Sequence, residues 1–165
     1  HGGILVDFNA VKGGIEIIPL DNDWQRAAHV YSDEVLISHR TDAEKGTPKF
    51  ERGKSLSDHQ REMIYISGTA AIRGEESIVT GDVLVQTEIT LENIQHLIGL
   101  EEGREKLPEH SGKLELLRVY LKHEEDAKIV KEDMDKLCPD VPIVYLYADV
   151  CREELLVEIE GIAYL

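Results

Sequence analysis

Residues 151–163 place an alternating apolar run beside one arginine and two carboxylates, and this pattern constrains the fold more than any other stretch of the chain. Successive side chains of a β-strand point to opposite faces of the sheet. One face of this strand carries Leu155, Val157 and Ile159, and the other carries Leu156, Glu158 and Glu160. A strand that aims carboxylates out of an apolar sheet either faces water or lines a polar pocket. That choice decides whether the chain is an enzyme.

The composition excludes several classes of protein. The 165 residues, 42% hydrophobic and 31% charged, suffice for one globular domain with its own core. A net charge of −15 repels polyphosphates and acidic membrane surfaces, so we expect no nucleic-acid or membrane partner. No apolar run approaches the roughly 20 residues of a membrane span. Two cysteines with no secretory signal in view predict a reducing compartment, which indicates a cytoplasmic protein.

Hydrophobic periodicity predicts several strands and two amphipathic helices. The strands are predicted at residues 4–8, 15–20, 63–66, 113–122, 141–147 and 155–165. The helices are predicted at residues 82–100, beginning near Asp82, and at residues 127–137, ending before Pro139. This order predicts an α+β fold, with a mixed β-sheet and two helices packed on one face. The other face stays uncovered, which predicts an oligomer or a second homologous domain.

The remaining segments are assigned more coarsely. The first two strands flank Gly13 and Gly14 and predict a hairpin, whereas residues 21–60 are polar and show no clear period. Residues 101–112 are predicted to form a loop. Residues 1–45 are therefore interpreted as a hairpin and linker, the junction to an upstream half, and residues 46–165 as the main domain. Within residues 113–122, the period places Leu114 on the face opposite Leu117.

Sequence motifs give no sign of a metal or nucleotide site. The seven histidines lack paired spacing, and Cys138 and Cys151 have no Cys-x-x-Cys partner. There is no glycine-rich phosphate loop and no nucleophile elbow. We therefore predict no cofactor and no metal.

Several motifs together resemble a known family. They are Ile-Ser-Gly-Thr-Ala-Ala-Ile-Arg-Gly-Glu-Glu-Ser at residues 66–77, Gly-Asp at 81–82, Gln-Thr at 86–87, Thr-Leu-Glu-Asn-Ile at 90–94, and Ala-Asp-Val-Cys-Arg-Glu-Glu-Leu-Leu-Val-Glu-Ile-Glu-Gly at 148–161. The set resembles the chorismatases, a branch of the reactive-intermediate deaminase (Rid, YjgF, L-PSP endoribonuclease-like) superfamily. The resemblance covers residues 46–165 and implies a Rid/YjgF-like (chorismate-mutase-like) fold. It further implies that the chain is mainly the C-terminal half of a chorismatase, in a homotrimer or pseudo-trimer with pockets between subunits.

The resemblance implies a cofactor-free hydrolase or lyase acting on a small carboxylated enol ether such as chorismate. Cleavage of an enol ether needs a proton delivered to the vinyl carbon and an anchor for the carboxylates. The resemblance gives these roles to Glu158, as general acid, and to Arg152, as carboxylate anchor. In the alternative interpretation, Glu158 belongs to a solvated strand face and Arg152 to a surface turn.

Five further residues are candidates for substrate binding. Ser67, Gly68 and Thr69 would offer backbone N–H groups and hydroxyls, Arg73 would hold an anion, and Tyr145 would line the pocket. The alternatives are a plain strand-end turn, an exposed loop arginine and a buried strand tyrosine. No neighbouring residue predicts an activated thiolate at the nearby motif cysteine.

Two departures from the superfamily pattern bear on function. The deaminases of the superfamily hold a carboxylate with an arginine where this chain has Ile143, which argues against imine or enamine deamination. Chorismatases commonly have a histidine where this chain has Glu75, and a carboxylate beside the site is expected to weaken binding of a dianion. A catalytically silent protein that binds a small ligand is therefore a third interpretation.

Overall fold

The computed structural model describes residues 8, 10–36, 46–58, 60–78, 81–99 and 113–165. The strands are β1 (Glu16–Leu20), β2 (Gly53–Ser57), β3 (Glu62–Thr69), β4 (Ile72–Arg73), β5 (Glu76–Ser77), β6 (Lys113–Leu121), β7 (Ile143–Tyr147) and β8 (Val157–Tyr164). The helices are α1 (Val83–Leu97) and α2 (Ala127–Leu137), with short 3-10 turns at Ala28–Val30 and Glu124–Asp126.

Six strands form one mixed sheet in the order β1-β2-β3-β8-β6-β7. Only β6 and β7 run parallel; the other neighbours are antiparallel. Strands β4 and β5 form a separate two-stranded hairpin. Both helices pack on the same side of the large sheet, so the predicted α+β architecture is confirmed.

The core lies between the sheet and the helices. Leu117 and Val119 of β6 pack with Ile159 of β8, Ile94 of α1 and Met134 of α2, and all five are fully buried. Burying each such side chain contributes roughly 1.5–3 kcal/mol. The predicted alternation of β8 is confirmed, because its odd-numbered residues are buried while Glu158 and Glu160 point away from the helices.

The side of the sheet away from the helices, here called the open face, includes Leu56, Tyr65, Arg118, Tyr120 and Glu160. No helix among the described residues covers it.

Some sequence predictions need correction. Residues 21–60 contain β2, which was not predicted, and β1 pairs with β2 along its whole length. Residues 4–7 of the predicted first strand, and the predicted loop at 101–112, lie outside the described residues. The prediction for Leu114 was wrong: the register of β6 against β8 shifts between Leu114 and Leu116, and this irregularity turns Leu114 into the core.

Helix α1 begins where the sequence predicts. The Asp82 carboxylate accepts hydrogen bonds from the backbone N–H groups of Leu84 (2.9 Å) and Val85 (3.3 Å), satisfying two donors that the first turn leaves without helical partners.

Gly161 of β8 gives a prediction about stability. A Cβ at this position would lie 2.6 Å from the Leu116 carbonyl oxygen and 2.7 Å from Leu117 Cδ2. Because one obstacle is backbone, Gly161→Ala should lower the free energy of unfolding by roughly 1–3 kcal/mol. The measurement is urea denaturation, with Gly46→Ala as the control, since a Cβ at Gly46 meets nothing within 4 Å. Equal midpoints for the two variants would contradict this account of the packing.

Candidate active site

A cavity of about 480 Å³ opens where β3 and β8 meet the segments around residues 31–36 and 46–52. Its lining residues are Tyr31, Val35, Leu36, Gly46, Pro48, Phe50, Arg52, Ser67, Gly68, Ala70, Ile72, Cys151, Arg152 and Glu158. Four of the residues predicted for the site, Ser67, Gly68, Arg152 and Glu158, are therefore brought together.

A β-bulge in β3 shapes the wall of the cavity. Ile66 pairs with Gly161 and Thr69 with Ile159, so three steps along β3 match two along β8. The extra residue falls at Ser67 or Gly68, and bulges of this kind re-aim side chains beside functional sites. The Ser67 N–H donates to the Arg52 carbonyl oxygen, next to β2, at 3.1 Å.

Gly68 and Glu158 are in direct contact across this bulge. A Cβ built at position 68 would overlap the Oε1 atom of Glu158. The carboxylate thus occupies the space that any other residue at position 68 would fill. A side chain at position 68 would have to displace the end of the Glu158 side chain, so the constraint is close approach and not an unusual backbone angle.

The surroundings of Glu158 favour its neutral form. Burial raises the pKa of the Glu158 carboxyl group, and the negative charge of Glu160 adds to this shift. Glu160 itself is balanced, because Arg118 Nη1 lies 2.9 Å from its carboxylate and the Tyr120 hydroxyl donates to it at 2.6 Å. Two acids two residues apart on one strand therefore have different electrostatic environments.

Arg152 lies in the turn before β8 and is only 8% exposed. Its Nη1 donates to the Glu75 carbonyl oxygen and to Ser77 Oγ, each at 2.9 Å, and its guanidinium lies 5.5 Å from the centre of the Tyr31 ring. Its burial contradicts the alternative interpretation of a surface turn residue. Hydrogen bonds and ring contact hold the guanidinium in the cavity wall.

Sequence analysis missed a second arginine, Arg52. It is 4% exposed, and its Nη2 donates to the Arg26 carbonyl oxygen at 2.7 Å and to the Tyr31 hydroxyl at 2.5 Å. Its guanidinium also lies 5.8 Å from the Tyr31 ring centre, so this ring contacts both arginines. The only sequence signal was an arginine before the glycine that starts β2, a strand that periodicity did not reveal.

The Glu75 carboxylate is paired with groups that do not line the cavity. Its carboxylate accepts hydrogen bonds from the Ser32 N–H (2.8 Å) and hydroxyl (2.6 Å) and pairs with Arg26 at 3.0 Å. The Ser32 hydrogen bonds, with a smaller contribution from Arg26, lower the pKa of Glu75. It is not a lining residue; it fastens residues 26–32, which lead to Tyr31, to the β4–β5 hairpin.

Thr69 and Arg73 are not brought to the cavity. Thr69 is buried, and its hydroxyl donates to the Ser67 carbonyl oxygen at 2.9 Å. Arg73 pairs with Glu92 of α1 at 2.6 Å and stacks 4.6 Å from the Trp24 ring. Position 73 thus ties the β4–β5 hairpin to α1.

Tyr145 also lies outside the cavity. It is on edge strand β7 and packs partly buried against the core on the helix side of the sheet. Burial, aided by the charge of Asp135, raises the pKa of Tyr145 to about 12. The alternative interpretation was a buried strand tyrosine with its hydroxyl satisfied. The ring does pack against the core, but the hydroxyl has no hydrogen-bond partner among the described residues.

Cys151 lines the cavity and is exposed. Loss of hydration around the thiol and the charge of Glu158 raise the pKa of Cys151, so the thiol is not activated, as the sequence predicted. Within the described ranges, no group of three or more histidine, cysteine, aspartate or glutamate residues could hold a metal ion. None of the described helices is long and apolar enough to cross a membrane.

Known proteins resemble this chain in sequence. A chorismatase of Streptomyces rapamycinicus is 32% identical over 169 residues, covering 98% of this chain and 47% of that protein. A 3-hydroxybenzoate synthase of Streptomyces hygroscopicus is 36% identical over 128 residues, covering 70% of this chain and 36% of that protein. The chain thus spans less than half the length of these curated relatives. No protein-family model matches it.

Solved structures resemble it in fold. A crystal structure of a chorismatase has a TM-score of 0.71 at 28% identity, covering 89% of this chain and 43% of that chain. The YjgF protein of E. coli has a TM-score of 0.58 at 16% identity, covering 88% of this chain and 97% of that chain. The predicted resemblance is therefore confirmed: this chain is a homologue of the chorismatases and 3-hydroxybenzoate synthase, with a Rid/YjgF-like fold.

Proposed function

We propose that this chain provides the active site of an enzyme that converts chorismate, or a closely related carboxylated enol ether, without a cofactor. The observation that carries the proposal is the position of Glu158. This acid has a raised pKa, rests against the bulge at Gly68, and shares one cavity with Arg152. The activity named for the sequence relatives fits this arrangement of an acid beside a buried guanidinium.

Glu158 acts as the general acid in this proposal. The protonated carboxyl donates its proton to the terminal carbon of the enol ether, which leaves an oxocarbenium ion at the adjacent carbon. Water adds to that carbon while the carboxylate of Glu158 takes up a proton, and the resulting hemiketal breaks into pyruvate and the ring alcohol. The same carboxyl group thus acts as a general acid in the first step and as a general base in the second.

The two arginines anchor the substrate carboxylates. Among the described residues, one Nη atom of Arg152 donates hydrogen bonds to the protein, which leaves the rest of its guanidinium fork to bind a carboxylate. Arg52 Nε is a buried donor with no partner in the part of the chain that the structure describes. A substrate carboxylate at this position would satisfy a donor whose burial otherwise costs free energy. Ser67 and Gly68 line the same cavity and complete the contact surface.

The position that holds a carboxylate in the deaminases does not serve that purpose here. Ile143 packs against the core, on the helix side of β7. Deamination of imines therefore lacks support from this position. A silent ligand-binding protein is distinguished from an enzyme by the turnover experiment below.

We further propose that a second Rid-like domain covers the open face, in a homotrimer or a pseudo-trimer. The face presents apolar side chains to solvent, including Ile17, which is 48% exposed, and Tyr164. The chain also spans less than half of its sequence relatives, so an upstream half could supply the second domain.

A test of this assembly is sedimentation of the 18.6 kDa chain. We expect a trimer, and we expect Ile162→Lys, at the centre of the open face, to dissociate it because burying a lysine there is costly. Ile129→Lys on α2, where Ile129 is 43% exposed, is the matched control and should leave the trimer intact. A monomer for the unmodified chain would exclude self-assembly through this face.

Substitution of the acid tests the catalytic role. Glu158→Gln should lower the rate of pyruvate release from chorismate about 10²–10⁴-fold, the usual contribution of a general acid. Because the acid acts when protonated, the wild-type rate should fall as pH rises through its raised pKa. In a coupled pyruvate assay, the residual rate of Glu158→Gln should lack this fall.

The pH dependence of stability that Glu158 causes provides a control for folding of the Glu158→Gln variant. Since the folded protein favours protonated Glu158, that residue's stabilising contribution is lost as pH rises through the folded pKa. Glu158→Gln, which carries no charge, should therefore melt no lower than the wild type at neutral pH. An unchanged rate of pyruvate release in this well-folded variant would remove Glu158 from the mechanism.

Gly68→Ala tests the contact that places the acid. The added methyl group meets the flexible end of Glu158, so the variant should fold while its carboxylate is displaced. A displacement of about 1 Å lowers turnover on the order of 10²-fold. The double variant Gly68→Ala/Glu158→Gln should be no slower than Glu158→Gln alone, because both changes disable one group. Additive losses in kcat would show that Gly68 acts separately from the acid.

A further inference from the structure

Helix α1 carries two fully buried amide side chains that the proposed chemistry does not use. Gln86 and Asn93 are both 0% exposed. They are seven residues apart, which places them on one side of the helix about 10 Å apart along its axis. A helix packed on a sheet normally buries apolar side chains at such positions, and a buried amide costs free energy unless its hydrogen bonds are made. The partners of the amides therefore indicate their role.

Gln86 holds the segment that leads into β8. Its Nε2 donates to the Glu154 carbonyl oxygen at 2.9 Å, and its Oε1 accepts from the Leu156 N–H at 2.8 Å. Both backbone groups precede the first residue of β8. The two hydrogen bonds fix the direction as well as the position of this short segment, which connects Arg152 to Glu158.

Asn93 holds the segment that follows the bulge in β3. Its Nδ2 donates to the carbonyl oxygens of Ala70 (3.0 Å) and Ile72 (3.1 Å), and both of these residues line the cavity. This segment begins two residues after Gly68. One side of a single helix is therefore bonded to both walls of the candidate site.

We propose that Gln86 and Asn93 are positioning residues that set the separation between the Arg152–Glu158 segment and the wall at Gly68. The inference rests on the proposed function, because it assigns a role in that same site. Two turns of helix form a rigid spacer, since their length is fixed by internal hydrogen bonds. Loss of the two Gln86 hydrogen bonds would allow Arg152 to move away from the substrate carboxylate that it anchors. The core around α1 would stay in place.

The test compares Gln86→Met with Thr87→Val. Methionine keeps the length and much of the volume of glutamine but neither hydrogen bond. Thr87 is equally buried on the same helix, yet its hydroxyl donates only to the Val83 carbonyl oxygen one turn earlier, at 2.7 Å. Both variants lose buried hydrogen bonds; only one loses bonds to the site.

Two readouts are expected to separate the variants. Amide hydrogen exchange of residues 150–157, followed by mass spectrometry on the full chain, should accelerate in Gln86→Met and stay unchanged in Thr87→Val. The KM for chorismate should rise about tenfold in Gln86→Met only, because a misplaced anchor weakens substrate binding. A merely structural defect lowers the folded fraction, and with it the apparent kcat, without changing KM.

Unchanged exchange at residues 150–157 in Gln86→Met would overturn the inference, as would an equal KM in the two variants. If the wild type does not convert chorismate, the proposed function fails. Accelerated exchange confined to residues 150–157 in Gln86→Met would still show that Gln86 fixes the position of this segment. If Gln86→Met does not fold, Gln86→Leu replaces it. Leucine also lacks both hydrogen bonds and leaves no buried polar group without a partner, so the same acceleration at residues 150–157 is expected.

Discussion

The contact between the Glu158 carboxyl group and the backbone at Gly68 is the constraint on which the candidate site depends. It requires an extra residue in β3, so that the strand bulges and Gly68 meets β8 beside the acid. It also requires that position 68 lack a side chain. Pressing a carboxyl group against backbone removes water from it, and loss of hydration favours the neutral form. One local irregularity of the sheet thus fixes the place of the proposed acid and favours its protonated form.

Two neighbouring acids on the open face have different electrostatic surroundings. Glu158 and Glu160 alternate onto the same side of β8, yet Arg118 and Tyr120 stabilise the charge of Glu160 alone. The negative charge of Glu160 adds to the shift that burial produces in the pKa of Glu158. Pairs of titratable groups whose surroundings differ in this way are typical of acid–base sites. The ion pair on β6 and β8 therefore contributes to the site without lining its cavity.

The sequence was sufficient to predict those strands and helices that are determined by neighbouring residues. Period-two alternation gave β6 and β8, and the Asp82 cap gave the start of α1. It missed β2, because Gly-Lys-Ser-Leu-Ser has little apolar alternation and is held by its neighbours on both sides. Arg52 was missed for the same reason, since it precedes that strand.

The candidate site was predicted in part, because motifs do not reveal which side chains converge. Arg73 and Arg152 both lie in the motifs, but only Arg152 faces the cavity; an ion pair with α1 holds the other. The contact of Tyr31 with two guanidinium groups joins residues far apart in sequence. Only the long-range fold brings such partners together.

The overall charge and the local charge of the site oppose each other. A net charge of −15 repels an anionic substrate at a distance, although physiological salt screens this repulsion beyond roughly 8 Å. Inside the cavity, two buried guanidinium groups lie in a medium of lower dielectric constant. The interaction energy between two charges is larger there than in water. Tyr31 contacts both groups, and its hydroxyl accepts from Arg52, which holds two like charges near one ring. In the proposed function, selection of a carboxylated ligand therefore depends on these two guanidinium groups and Tyr31, and not on the charge of the chain as a whole.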